Sequence, residues 1–98
     1  MGPPVAPSGL QASAVSRTQI NLKWSDRSSN ETGFQIERCL GKKGACILFS
    51  QIAQVGVNVK NYSDTSVSPN TSYTYRVRAF NGLGVSAYSN RDDATTPR

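Results

Sequence analysis

The stretch that most constrains the fold is Val67–Ala79, in which a turn leads directly into a strand. Pro69 fixes φ and Asn70 tolerates unusual backbone angles, so the stretch opens with a turn. From Tyr73 onwards, apolar residues alternate with threonine and arginine, which is the period of a β-strand with one buried face and one wet face. The inward set is Tyr73, Tyr75, Val77 and Ala79, and the outward set is Thr74, Arg76 and Arg78. The other segments must supply partners for this strand.

Length and charge exclude several classes of protein. A chain of 98 residues forms one domain and buries roughly two-thirds of its unfolded surface. Its longest apolar run, Ala45–Phe49, is far shorter than the ~20 residues of a membrane span, so no membrane insertion is expected. The formal net charge is +5, but the basic residues are scattered and not interleaved with aromatic ones. Nucleic-acid binding is therefore not expected.

Six further segments have strand character, and no window shows a sustained helical period with caps. In residues 46–55 the alternation breaks, which indicates a β-bulge or a shift in register. Seven short strands at spacings of about ten residues predict an all-β, antiparallel β-sandwich. The predicted strands are residues 9–15, 18–24, 34–39, 46–55, 57–62, 73–79 and 85–96. The predicted core comprises Ile20, Leu22, Trp24, Phe34, Ile36, Tyr73, Tyr75 and Val77.

Several motifs occur together at matching spacings, from about Pro4 to Pro97. They are Trp24, Tyr73, Tyr75–Asn81, Gly84-x-Ser86-x-x-Ser89 and Thr95–Pro97. As a set they resemble the fibronectin type III family. The resemblance implies a seven-stranded immunoglobulin-like sandwich in residues 8–96, with 1–7 as a linker or added start and 97–98 as a C-terminal linker. It also implies that the Tyr73 hydroxyl bonds to backbone a few residues upstream.

Three further segments carry a narrower likeness: Trp24-x-Asp26, Asn30–Arg38 and Tyr62–Thr65. They resemble the modules of secreted bacterial proteins that degrade polysaccharides. This likeness implies a non-catalytic spacer or interaction module in an extracellular protein, with flanking domains of the same chain as its partners. In isolation such a module is expected to be a monomer.

The sequence offers little for catalysis. It contains no histidine, which removes histidine-based acid–base chemistry, triads and metal sites. Among the six carboxylates, Asp26 and Glu31 share one polar loop, where hydrogen bonding within the turn is the favoured role over catalysis. No phosphate-binding loop is present, and no cofactor or metal is expected.

Cys39 and Cys46 flank a predicted hairpin connection, so a cross-strand disulfide is geometrically reasonable. Such a bridge fits an oxidising, extracellular setting. The alternative is two free thiols in a domain that is stable without the bridge.

The outward side of the Tyr73–Ala79 strand is the candidate binding face. Arg76 and Arg78 point outward, Phe80 lies beyond them, and Glu37 is expected on the neighbouring strand. One hypothesis is a contact face for protein or polysaccharide, built on arginine and an exposed aromatic ring. The other is a ladder of cross-strand charges whose arginine stems cover apolar surface. The sequence leaves both open.

Overall fold

The computed structural model describes residues 2–98 as two antiparallel sheets packed face to face. The smaller sheet has the strand order β1-β2-β5, and the larger has the order β4-β3-β6-β7, with β8 also paired to β6. Within residues 2–98, no helix has the length and apolar character to cross a membrane. The strands are β1 (Ser8–Ser16), β2 (Gln19–Ser25), β3 (Gly33–Leu40), β4 (Ser50–Gly56), β5 (Asn61–Asp64), β6 (Ser72–Asn81), β7 (Gly84–Val85) and β8 (Asp92–Thr95).

The core lies between the sheets, where the alternating side chains of β2, β3 and β6 meet. Trp24 and Phe34 pack edge to face, with ring centroids 5.7 Å apart. Val67 and Leu10 are buried in the same cluster. Each of the eight residues assigned to the core from the alternation is at most 6% exposed. The all-β sandwich expected from the sequence is confirmed.

The turn before β6 has the geometry that its residues favour. Asn70 adopts a left-handed φ of 53°, which asparagine tolerates better than most residues. The backbone N–H of Ser68 donates to the Tyr73 hydroxyl oxygen at 2.9 Å, so this side chain ties the turn to the strand that follows.

Two of the predicted strands begin later in the structure than expected. Residues 46–49 are not part of β4, because a 3₁₀ turn (Lys43–Ala45) and the cysteine pair draw them across the larger sheet. Residues 57–60 form the loop before β5, where the Asn58 N–H donates to the Glu31 carboxylate at 3.0 Å. The predicted bulge is present, since the pairing of β3 with β4 shifts register between Ile36 and Glu37.

The predicted last strand, residues 85–96, is broken into β7 and β8, so the sandwich has eight strands where seven were expected. Ser86 and Ser89 cause the break. Their hydroxyl oxygens accept the N–H groups of Ala79 at 2.8 Å and Val77 at 3.0 Å, in place of backbone carbonyls. Their own N–H groups donate to the carbonyls of the same two residues. The chain therefore stays beside β6 without a regular ladder.

Candidate interaction face on the outer side of the larger sheet

The register of β3 against β6 positions the candidate arginines. Glu37 stands opposite Arg76, and Gln35 stands opposite Arg78. Arg76 donates from Nε and a terminal nitrogen to Glu37 Oε1, at 2.8 and 2.7 Å. Arg78 Nε donates to Gln35 Oε1 at 2.8 Å. Both guanidinium groups are therefore bonded across the strands of their own sheet.

Aromatic rings stack on these arginines. The Arg76 guanidinium lies 3.7 Å from the Tyr88 ring centroid and 4.1 Å from that of Phe49, so it sits between two rings. Arg78 approaches the Tyr88 ring at 4.9 Å, and Arg91 approaches Phe49 at 5.0 Å. Cation–π pairs at such distances contribute about 0.5–2 kcal/mol each. We call this set of five side chains, with Glu37, the outer cluster.

Phe80 does not belong to the outer cluster. It is half-buried and lies over Gly33, where a Cβ would be 3.0 Å from its ring. A Cβ on Gly33 would also overlap the Val55 carbonyl oxygen. Glycine thus allows Phe80 to fold onto the sheet. Arg76 and Arg78 share the outer cluster, whereas the ring of Phe80, two residues further along β6, lies against Gly33 of β3.

The disulfide between Cys39 and Cys46 brings Phe49 to the outer cluster. The two Cα atoms are 5.9 Å apart, within the usual range for such a bridge. The loop that it closes is held on the outer face, because the Gly41 carbonyl accepts from Thr74 Oγ1 at 2.8 Å and the Cys46 carbonyl accepts from Arg91 at 3.1 Å. Thr74 is completely buried as a result, although it points to the outer side of β6.

The electrostatics of the outer cluster favour an ionised Glu37. Burial opposes its ionisation, but hydrogen bonds from Tyr88 and Arg76 outweigh that effect and lower the pKa of Glu37. The Tyr88 hydroxyl donates to Glu37 Oε2 at 2.8 Å. Burial and this bond to a carboxylate together raise the pKa of Tyr88. The carboxylate thus has a donor on each oxygen.

A second cluster of the same chemical groups lies on the inner side of β3, where Arg38 directly follows Glu37. Asp64 Oδ2 accepts from Arg38 at 2.9 Å and from the Tyr75 hydroxyl at 2.8 Å, while Oδ1 accepts from the N–H and hydroxyl of Ser66. Arg38 also lies 5.0 Å from the Tyr73 ring centroid. Burial opposes ionisation of Asp64, but these four bonds lower its pKa. We call this the inner cluster.

Sequence reasoning missed Phe49 and Arg91 as members of the outer cluster and the Tyr75 hydroxyl as a partner of Asp64. Phe49 was assigned to a strand because its neighbours are β-prone. The available signal was its place three residues after Cys46, in a segment that the disulfide redirects.

The polar groups of the candidate face form hydrogen bonds with one another and do not line an open binding site. Within residues 2–98, no three histidine, cysteine, aspartate or glutamate side chains are grouped so that they could hold a metal ion. Asp26, which with Glu31 forms the acidic pair of one loop, accepts the Ser28 N–H at 3.0 Å, as expected of turn hydrogen bonding. Chemically, the face offers a stacked, mainly cationic surface whose carboxylate, Glu37, is held by Arg76 and Tyr88.

The family model for the fibronectin type III domain matches residues 5–93. This chain belongs to the fibronectin type III family. The two antiparallel sheets of the sandwich and the tyrosine bonded to the turn before its strand agree with the resemblance seen in the sequence.

Two curated relatives are similar to this fibronectin type III domain over nearly its whole length. Exoglucanase B of Cellulomonas fimi is 33% identical over 96 residues, which are 95% of this chain and 8% of that protein. An alpha-amylase of Niallia circulans is 30% identical over 98 residues, which are 96% of this chain and 7% of that protein. The chain therefore spans less than a tenth of the length of either relative and matches a module within each.

Among solved structures, an Fn3-like protein from Clostridium thermocellum superposes with a TM-score of 0.77 at 26% identity. The match covers 97% of this chain and 95% of that one. The likeness supports the same fold over the whole domain.

Proposed function

We propose that this fibronectin type III domain is a non-catalytic spacer of a larger extracellular protein that degrades polysaccharide. The observation that carries the proposal is the coverage of the two relatives, in which a module like this one forms under a tenth of an exoglucanase and of an alpha-amylase. A module present in two different glycosidases is better explained by a shared architectural role than by a shared substrate, since the two names denote different activities.

The positions of the chain ends support a spacer. The Gly2 carbonyl accepts from the side chains of Asn30 and Asn81, at the end of β6. The Pro97 carbonyl accepts from the Asn70 N–H, just before β6 begins. The two ends thus lie at opposite ends of a ten-residue strand, which is about 33 Å long. Domains joined to these ends would be held apart by a rigid sandwich.

The surface chemistry is also consistent with a non-catalytic role. Two surface hollows, of about 420 and 470 Å³, are lined without any carboxylate, whereas glycoside hydrolysis uses a pair of them. The disulfide supports an oxidising, extracellular location.

Sedimentation with insoluble cellulose and with starch granules tests the proposal. The domain is expected to stay in the supernatant with both and to release no reducing sugar. The rival hypothesis, a binding module for polysaccharide or protein that uses Arg76, Arg78 and Phe80, predicts retention that Arg78→Ala abolishes. Arg17→Ala, which removes an exposed arginine from the turn between β1 and β2, is the matched control. Retention of the parent that only Arg78→Ala abolishes would overturn the spacer proposal.

A further inference from the structure

The edges of the two sheets differ in how their free backbone groups are covered. The edge of β1 is occupied by side chains, because the N–H groups of Leu10 and Ala12 donate to Asn90 and Asp92, both at 2.8 Å. Asn90 Nδ2 donates in return to the Leu10 carbonyl at 3.0 Å. An edge whose groups are bonded in this way does not accept another strand.

Two further edges are short. β5 has four residues, and on the other side of the larger sheet β7 has two and β8 has four. β8 also carries Asp92 and Asp93, which place charge on that edge. Short length and charge are both common protections against the addition of a strand.

β4, the remaining edge, lacks these protections. It has seven residues, contains no proline and lies in the middle of residues 44–59, which include no charged side chain. Across the part of the chain that the structure describes, no side chain bonds to the backbone of residues 50–55. In an edge strand every second residue directs its N–H and C=O groups outward, so β4 offers an open ladder. The bulge at Ile52 bends this edge but does not cover it.

The two ends of β4 carry exposed apolar side chains. Ile47 and Leu48 precede the strand and are 85% and 81% exposed, and Val57 follows it and is 56% exposed. If two β4 strands pair antiparallel about a two-fold axis near Ala53, Ser50 of one copy lies opposite Gly56 of the other. Leu48, which lines the same surface hollow as Ser50 and Ile52, would then lie near Val57 of the partner. The two ends are thus complementary in a symmetric pair.

We propose that β4 is a self-association edge through which two copies of this domain pair antiparallel into one continuous sheet. Each copy carries a net charge of +5, but the contact itself brings together only uncharged side chains, with Gln51 and Gln54 exposed on β4. Pairing uses the one open edge of each copy, so assembly stops at the dimer. This proposal replaces the monomer expected from the sequence and does not depend on the role in polysaccharide degradation.

Sedimentation velocity over a concentration series tests the pairing. Between about 10 µM and about 1 mM, the range of weak association, the domain is expected to shift from monomer to dimer. Added salt should strengthen the dimer, because it screens the repulsion between two cationic copies. Hydrogen exchange should show β4 amides that become protected as the concentration rises.

Gln54→Lys is the diagnostic variant, since it places two like charges in one short ladder and should weaken the dimer about tenfold. Gln11→Lys makes the same change on the covered edge of β1 and should leave the dimer unchanged. Circular dichroism confirms that both variants fold. An equal effect of both variants overturns the proposal, as do open-ended fibres. A domain that stays monomeric at every concentration also overturns it. In that case the partner of β4 would be an extended segment of another protein.

Discussion

The inner and outer clusters are built from the same chemical groups in different surroundings. Each has a carboxylate that accepts from an arginine and from a tyrosine hydroxyl, and each arginine also lies on an aromatic ring. In the ion pairs the arginine side chains are similarly exposed, at 24% for Arg38 and 22% for Arg76. The carboxylates differ, at 1% for Asp64 and 10% for Glu37.

The groups that cover the two carboxylates differ more than the exposed fractions of the carboxylates do. Asp64 lies on β5 against Tyr75 of β6, which is completely buried, so one side of its carboxylate stays in the core when a donor is removed. Glu37 is covered by the side chains of Tyr88 and Arg76, which can rotate away and admit water. A charge that stays buried after it loses a partner is costly, whereas one that water can reach is not. The inner cluster should therefore govern stability, and the outer cluster should be tolerant of substitution.

The largest expected effect is that of Asp64→Ala. Removal of this carboxylate leaves Arg38, the Tyr75 hydroxyl and two Ser66 donors without their acceptor, and should lower the free energy of unfolding by about 3–5 kcal/mol. Glu37→Ala should cost about 1 kcal/mol, because water replaces the lost acceptor. Urea unfolding measures both. Equal losses would show that the two carboxylates are enclosed to the same degree.

Loss of the disulfide comes next in size. The double variant Cys39→Ser, Cys46→Ser should lose about 2–3 kcal/mol through loop-closure entropy alone. It should also release Phe49 from Arg76, because the closed loop holds that segment on the outer face. Ring chemical shifts of Tyr88 are expected to change and those of Tyr75 to stay the same. A change at Tyr75 of similar size would contradict the separation of the two clusters.

The two tyrosine hydroxyls provide a matched pair of smaller effects. Tyr75→Phe should cost about 1–3 kcal/mol, since Asp64 remains buried with one donor fewer. Tyr88→Phe should cost at most about 1 kcal/mol, because its ring can still stack on Arg76 while water bonds to Glu37. Thermal melts of both variants, with the parent as reference, make the comparison. A greater loss for Tyr88→Phe would reverse the proposed ranking.

The smallest effect at neutral pH is that of Glu37→Gln, which should change stability by less than about 1 kcal/mol. The effect of this variant on stability should appear at acidic pH. The folded-state pKa of Glu37 lies below the ordinary value of 4.5, so its stabilisation is complete above that value and is lost as pH falls through the folded-state pKa. The variant should flatten the decline of stability between about pH 5 and about pH 2. An unchanged decline would mean that Glu37 is not stabilised in its ionised form.

The contribution of Asp64 to stability is also lost as pH falls through its folded-state pKa, because that pKa is lowered from the ordinary value of 3.8. A parent domain that loses stability only above pH 5 would contradict both assignments.

The sequence predicted the centre of the fold better than its periphery. β2, β3 and β6 alternate cleanly, and alternation places one side of each in the core wherever the strands pair. Residues 46–49, 57–60 and 86–91 are also β-prone, but their positions depend on partners distant in sequence. The positions of these segments are set by a disulfide, the Glu31 carboxylate and two serine hydroxyls.

The alternation along the strands also made part of the candidate face predictable. Period two puts Arg76 and Arg78 outward, and the pairing of β3 with β6 puts Glu37 beside them. Phe49 could not be placed, because only the closed loop carries it over Arg76. Phe80 was expected to be free, but a glycine on the neighbouring strand lets it lie on the sheet.

By itself, the sequence determined the class of fold, the core and the turn that leads into β6, since these follow from local periodicity and backbone preference. Tertiary structure alone decided that Arg76 of β6 is stacked between rings of two other segments. It also decided that Asp64 is buried with four donors and that β4 is the uncovered edge. Each of these depends on which groups distant in the chain are brought into contact, and no local pattern records that.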